Sequence, residues 1–532
     1  MLNSKRLWTT TILLGIAFDI LFWDKTPGIS FAIFVTLILI SGIRVLAEDG
    51  IRPNKRSLWL LLPIGFFATM TFIRAEPLTT FLNYSLTLVF LAFFAISFLG
   101  GRWLDYSLSD YVAGQFRLMG SALGGGLSFI NKTRKEREHS EEYRQNGEER
   151  EAKKFVPIVR GLLIALPVVA IFAGLLSSAD LVFAERMDAF VELFRLEKLP
   201  EYIFRGIYIL ILSYILVGVL LYAARNSQDE KLIGEEKPVL TPFLGFTEAS
   251  IVLCSVLLLF AAFVAVQFQY FFGGQVNINI EGYTYAEYAR RGFGELVTVA
   301  IFSLLLFLGL SSITRRADER KKKIFSALGI TLVLLVLVML ASAFQRLTLY
   351  ETVYGFSRLR TYPHIFMIWL GALLITVVAL EIRQRQRAFA PAMAFAIIGF
   401  AATLSLLNVD SFIVRQNMAR SAGGGELDFA YLASLSNDAI PALADAMDDP
   451  SVSNVTREAA SASLICHWYQ NEYRFKETRP WQSFHLSHWQ ASKIYTAINP
   501  LDGYTVSSDD WQRHVTSPSG IRFDCSDRFT WD

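Results

Sequence analysis

The chain is built of long apolar blocks separated by short polar joints. Uninterrupted apolar runs fall near 7–23, 28–43, 57–73, 79–99, 156–177, 203–223, 246–268, 295–314, 324–344, 363–380 and 388–407. At about 1.5 Å per residue in a helix, such runs match a hydrocarbon core about 30 Å thick. Only helices or closed barrels satisfy every backbone group in lipid, and barrel strands would alternate apolar and polar residues. The pattern therefore predicts an all-α, polytopic transmembrane helical bundle of about 11 spans. The first run, "LWTTTILLGIAFDILFW", could pass for a secretory signal. No small-residue cleavage site follows it, so it reads as a retained first helix.

The polar stretches differ in kind. "YSLSDYVAGQFRLMGSALGGGLSFI" is only intermittently apolar, and Gly124 to Gly126 predict a break in helix continuity, with the segment lying along the membrane interface. "NKTRKEREHSEEYRQNGEEREAKK", 131–154, reads as a solvated charged linker, or as a docking site for a cytoplasmic protein. After Leu407 the apolar blocks stop. Short helical periodicities follow, broken by Gly423 to Gly425, and Trp468, Trp481, Trp489 and Trp511 are expected as core or interface plugs. Four regions result: a four-span region at 1–99, an interfacial segment and linker at 100–155, a seven-span core at 156–407, and a small, mainly helical domain at 408–532.

Charge orients this map. Composition is 53% hydrophobic and only 18% charged, too little charge to cover a soluble protein of 532 residues. With the N-terminus inside, the cytoplasmic segments hold 28 Lys and Arg, against about eleven in the outer segments before the tail. The C-terminal domain is then extracytoplasmic, and the protein is expected in a bacterial cytoplasmic (inner) membrane. Cysteine use suits that side. Cys466 and Cys525 both lie in the tail, where an oxidising compartment permits a disulfide. Cys466, His467, His485, His488 and His514 could instead suggest a metal site, but the paired-cysteine spacing of structural zinc is lacking.

Candidate chemistry is concentrated in two outer loops. In "YAEYARRGFGELV", Glu287, Arg291 and Glu295 recur at helical spacing on one face, with Tyr288 and Arg290 beside them. "YETVYGFSRLRTYPHIFMIWL" adds Tyr354, Arg358, Arg360 and His364 at the same membrane side. Such charges either lock helix ends together or form a cup for an anionic ligand or another envelope protein. Arginine suits the second role, because its planar fork binds carboxylate or phosphate through two hydrogen bonds.

These two segments resemble the bacterial multi-pass membrane family called domain of unknown function 4173 (DUF4173), with a looser likeness to the related DUF4153. "QNMARSAGGGELDFAYLASLSNDAIPAL" resembles the region after the last span of such proteins, and the likeness covers roughly 190–445. The resemblance implies a membrane architecture and supplies no mechanism.

No Ser/His/Asp set, metal cluster or carboxylate pair converges on one loop, so no catalytic residue, metal ligand or cofactor is named and the chain reads as not an enzyme. No acidic or histidine relay lies at mid-membrane, which weakens a proton-coupled pump. The expected role is non-enzymatic sensing, scaffolding or assembly. The alternatives are a transporter or lipid-handling protein, and a membrane transferase acting on a lipid-linked substrate. The lipid bilayer is the one certain partner; nucleic acid is not expected.

Overall fold

The computed structural model describes residues 2–142, 199–228, 232–233, 241–272, 293–315, 318–450, 452–476, 479–497, 503–509 and 512–525, with scattered positions between 161 and 187. Eight described helices are long and apolar enough to cross a membrane. They are α2 (Ile29–Glu48), α4 (Pro77–Ile96), α6 (Leu199–Arg225), α7 (Phe246–Phe272), α8 (Phe293–Ile313), α9 (Glu319–Tyr354), α10 (Arg358–Ile382) and α11 (Phe389–Leu407). The protein is thus a multi-pass membrane protein. Among the described residues eight helices thus qualify, against the expectation of about 11 spans, and the difference falls on three runs. The first run forms α1 (Ser4–Phe22), but Lys5, Arg6 and Asp19 burden its 19 residues with charge. The third forms a 3₁₀ turn followed by α3 (Leu61–Ile73), a shorter apolar piece. The run at 156–177 lies mostly outside the described residues.

The chain divides into two compact units. The first comprises Met1–Trp23, Ile40–Ile51 and Arg117–Arg225. Within it α1 packs along α6, with Leu7, Val45, Phe129, Val217 and Leu221 as its core. Asp19, only 6% exposed, is met there by Arg205 (Nε donates at 2.8 Å) and by the Tyr208 hydroxyl. A carboxylate in an apolar setting persists only with such partners. The expected break at the glycine run does not occur: α5 (Leu108–Glu142) continues through it. Gly126 instead faces the Tyr214 ring, and a Cβ on Gly218 would sit 2.6 Å from Ala122 Cα. Small residues let two helix backbones approach, which in lipid is a main source of association.

The second unit comprises Asp24–Leu39, Arg52–Phe116 and Asn226–Asp532. Its bundle centres on α9, which packs on α7, α8 and α10 through buried Phe307, Phe325, Leu332, Val336, Met339 and Leu374. After α11, Asn408 adopts a left-handed conformation (φ 53°) and starts α12 (Val409–Ala422). Then come α13 (Phe429–Ala433), α14 (Ile440–Asp448), α15 (Asn454–Lys476) and α16 (Leu486–Ala497).

The all-α, mainly helical expectation is corrected at the end of the chain. β1 (Thr505–Asp509), β2 (Gln512–Thr516) and β3 (Arg522–Cys525) form an antiparallel sheet in the order β1-β2-β3. Val506, Val515 and Phe523 stand in register across it. Alternation in β3, with Phe523 and Cys525 buried between exposed Arg522 and Asp524, seats one face on α15. The strands are four or five residues long, too short for their period to stand out in the sequence. Of the tryptophans expected as core or interface plugs, Trp481 is 60% and Trp489 43% exposed, outside the core, and Trp511 lies outside the described residues. Trp468 does pack against the tail core, which includes Leu443, Leu464 and Tyr495.

Candidate functional site

The tail meets one end of the bundle of the second unit through buried charge. At that end lie the α3–α4 joint, the start of α10 and the carboxyl end of α11. The sequence "RAEP" places Glu76 immediately before a proline at the first turn of α4, an arrangement suited to capping. Its carboxylate accepts from the backbone N–H groups of Leu78 (2.9 Å) and Thr79 (2.7 Å), and from the hydroxyls of Thr79 and Tyr362. Asp438, in a 3₁₀ turn of the tail, accepts in turn from the N–H groups of Ala75 (2.7 Å) and Glu76 (3.0 Å). One tail carboxylate thus fixes the loop whose own carboxylate starts α4.

A second clamp lies alongside. Arg358, at the first turn of α10, donates Nε to Asp410 Oδ1 (2.7 Å) and Nη2 to Oδ2 (2.5 Å), the two-pronged geometry of a strong pair. Asp410 is fully buried and also accepts from Ser436 N (2.8 Å), while the Arg358 N–H donates to the Tyr431 hydroxyl (2.7 Å). Burial, reinforced by the nearby Asp410 charge, pushes the Asp438 carboxyl up to about 6. Burial likewise pushes His485 down to about 4, so its imidazole is neutral near pH 7.

Beside these clamps opens a cleft of about 280 Å³. Arg479, His485, His488, Asn437 and Asn471 line it from the tail, and Thr71, Thr80 and Tyr84 from the bundle. Among the described residues that line it, three carry basic nitrogen side chains and none is a carboxylate. His485 Nδ1 is buried there without a hydrogen-bond partner. The lining suits an anionic or hydroxyl-rich group.

The residues singled out in the outer loops are only partly brought together. Glu287, Tyr288, Arg290 and Arg291 lie outside the described residues. Glu295 is exposed in the first turn of α8. Arg358 turns to Asp410, as above. Arg360 instead donates to the carbonyls of Tyr354 (3.0 Å) and Gly355 (2.5 Å) and lies over the Tyr350 ring, on which Tyr354 also packs. Gly355 takes φ 79°, which turns the chain from α9 into α10. His364 Nδ1 lies 2.9 Å from Glu351, a carboxylate only 2% exposed.

Sequence reading missed Glu76, Asp410 and Asp438. The signals available were a Glu-Pro at a helix start, an Asp three residues past a span, and an Asp in Asp-Ala-Ile-Pro. Cys466 and Cys525 are joined, with 5.4 Å between their Cα atoms, which ties β3 to α15. His467 lies against the Tyr495 hydroxyl (2.8 Å) and His514 against Asp524 (2.5 Å), well apart from the cleft pair in their bonding. Among the described residues no group of three or more His, Cys, Asp or Glu could hold a metal ion.

A family profile described as Domain of unknown function (DUF4153) matches residues 61–446, and the chain belongs to that family. The likeness to DUF4173 is thereby corrected. It rested on short Tyr-, Arg- and Gly-rich motifs at helix mouths, which any interface-anchored helix favours. The match instead runs from α3 to the tail helices, well beyond the stretch that the motifs covered. No curated protein and no solved structure matches the chain.

Proposed function

We propose that this member of the DUF4153 family is a non-enzymatic recognition protein of a bacterial cytoplasmic membrane, with a sensing, scaffolding or assembly role. The observation that carries the reading is the cleft between the clamped tail and the bundle, whose described lining includes Arg479, His485 and His488 and no carboxylate. Its occupant is an anionic group, borne by an envelope molecule or another envelope protein. Clamping supports recognition, because Glu76, Asp410 and Asp438 are engaged in capping and pairing that fix the tail on the bundle. Glu287, Tyr288, Arg290 and Arg291 enter this proposal from their spacing in the sequence, as an extension of the same polar face. The charged segment 131–154 is proposed as a contact for a cytoplasmic protein.

The reading assigns the N-terminus to the cytoplasm and the domain from 408 onward to the outside, on the strength of the 28 cationic residues in the cytoplasmic segments. Impermeant thiol labelling after positions 140, 318 and 480 checks this, and cytoplasmic exposure of position 480 would overturn it. Recognition itself is tested on the full chain in detergent with inorganic phosphate and citrate as probes. A saturable rise in the unfolding temperature is expected, and it should vanish in Arg479→Gln when each protein is compared with its own anion-free midpoint. An equal response in the variant would refute the cleft as the site. A lipid-handling role is the second reading, favoured by an apolar groove at the other end of the bundle.

A further inference from the structure

The tail segment "RPWQSFHLSHW", 479–489, is folded inside out for a domain in water. Pro480 leads into a 3₁₀ turn at Trp481–Ser483, Phe484 is extended, and α16 follows from Leu486. Its small polar residues are turned inward: Gln482, Ser483 and Ser487 are buried. Its large apolar residues are turned outward: Trp481 and Trp489 are exposed, and so is Phe484 at 37%. A single exposed aromatic side chain is ordinary. Three in so short a stretch, beside buried polar neighbours, mark a surface that meets something other than water.

The contacts of this segment place it at the rim of the bilayer. Ile29, the first residue of α2, donates its N–H to Phe484 O (2.9 Å). Gly28 lies so close that a Cβ there would sit 2.5 Å from Phe484 O and 2.7 Å from the Ser483 carbonyl carbon. No side chain fits between them. α16 packs on α3, so the segment is held where α2 begins and α3 ends, next to the start of α4 at Pro77. α2 and α4 are long and apolar enough to cross a membrane, so this is the level at which the chain passes from water into lipid. The outward side of α4 turns apolar at once, with Phe81 exposed in its second turn. Lipid is therefore the surface that lies nearest to the exposed rings.

We infer that the exposed side of 481–489 is an interfacial anchor, with Trp481, Phe484 and Trp489 set in the boundary between headgroups and acyl chains of the leaflet where α2 and α4 begin. Indoles favour that layer because the ring is apolar while its N–H stays within reach of water and headgroups. These rings belong to a domain outside the membrane, so they leave water when they enter lipid and gain by it. Lys493 Nζ lies 3.8 Å from the centre of the Trp489 ring, a pairing suited to a layer where apolar surface and charge meet. The tail is then tied to the bilayer as well as to the ends of the bundle. The anchor is the outward side of the segment, and it stands whatever fills the cleft that His485 and His488 line.

The test uses the full chain with Cys254, the one free cysteine, replaced by alanine and the Cys466–Cys525 bond kept. Trp481→Cys or Trp489→Cys carries a bimane label, in lipid nanodiscs that hold one copy each. The discs contain phosphatidylcholine with a nitroxide near the top of the acyl chain, near its methyl end, or absent. Most of the emission should be lost to the shallow nitroxide and less to the deep one, and iodide in the buffer should quench little. Ser508→Cys, exposed on β1 in a sheet that packs on α13 and α15, should show the reverse. If Trp481→Cys does not fold, Trp489→Cys decides alone. Quenching by iodide without quenching by nitroxide puts the rings in water and overturns the inference. So does shielding from both quenchers, which means cover by protein, or shielding that needs two copies in a disc, which assigns the face to a second copy. A deep nitroxide that quenches more than the shallow one overturns the interfacial placement. Equal nitroxide quenching at position 508 also overturns the inference, because the label then finds lipid wherever it is attached.

Discussion

The two ends of the second unit's bundle treat charge in opposite ways. At the tail end Asp410, Glu76 and Asp438 are each at most 3% exposed, and every one is met by an arginine or by backbone N–H groups. At the other end Arg385 and Arg387 stand exposed around an open pocket. The contrast follows from desolvation. A charge taken out of water must find a partner within the fold, whereas a charge left in water costs little and stays available to a ligand. Buried charge at the tail end therefore fixes structure, whereas exposed charge at the far end stays in contact with solvent.

That contrast breaks most sharply at Arg358. Arg358→Ala leaves Asp410 buried without its partner and should destabilise the docked tail by about 3–5 kcal/mol. Urea unfolding of the full chain, followed by proteolysis of the tail, measures it. The paired change Arg358→Met with Asp410→Leu should cost clearly less than either single change, because no lone charge remains. If the double variant is as unstable as Arg358→Ala, the pair is not the clamp described here.

Removing the Cys466–Cys525 bond comes next. The bond closes a loop of 59 residues, and chain entropy puts the loss on Cys525→Ser at about 2–5 kcal/mol. The effect should be confined to α15 and the sheet. Hydrogen exchange that rises instead across the bundle would show the two layers to be one cooperative unit.

A smaller effect sharpens the picture of the tail end through pH. Asp438 has its pKa raised to about 6 by burial, against an unfolded value near 4. The folded state then binds its proton more tightly, so this group favours folding most below pH 4 and loses that contribution as pH rises through 6. His485 is the reverse: its folded pKa of about 4 lies below the unfolded 6.5, so its contribution is lost as pH falls through that range. Around them, Arg74 and Asp410 act on Asp438, and Arg479 acts on His485. The two slopes oppose each other between pH 4 and 6, and wild-type stability should be nearly flat there. Asp438→Asn should leave stability rising with pH across this window, and His485→Gln should leave it falling. Melting midpoints at four or five pH values would separate these outcomes, and parallel curves for the two variants would contradict the assignment.

The smallest effect belongs to the far end. Arg385→Gln, at an exposed position, should leave stability within about 0.5 kcal/mol of wild type. A larger loss would mean that this cation serves the fold after all.

Much of this architecture was written into the chain. Membrane-length apolar blocks such as 203–223 and 246–268 impose helices, because lipid offers the backbone no other partner. Even the misjudged first and third spans are helices, and they fall short only in charge or length. What the sequence did not reveal depends on contacts between distant segments. Glu76 meets Tyr362 across 286 residues, and Arg358 meets Asp410 across 52. Gly124 to Gly126 have the composition of a helix break, yet α5 continues through them with Gly126 against the Tyr214 ring. The sheet of 505–525 has strands too short to declare themselves and is organised by the face of α15 that they cover. Solvent preference acts residue by residue and can be read in order along a chain. Pairing of buried charge and close approach of backbones are properties of two segments at once, and only the folded arrangement brings those segments together.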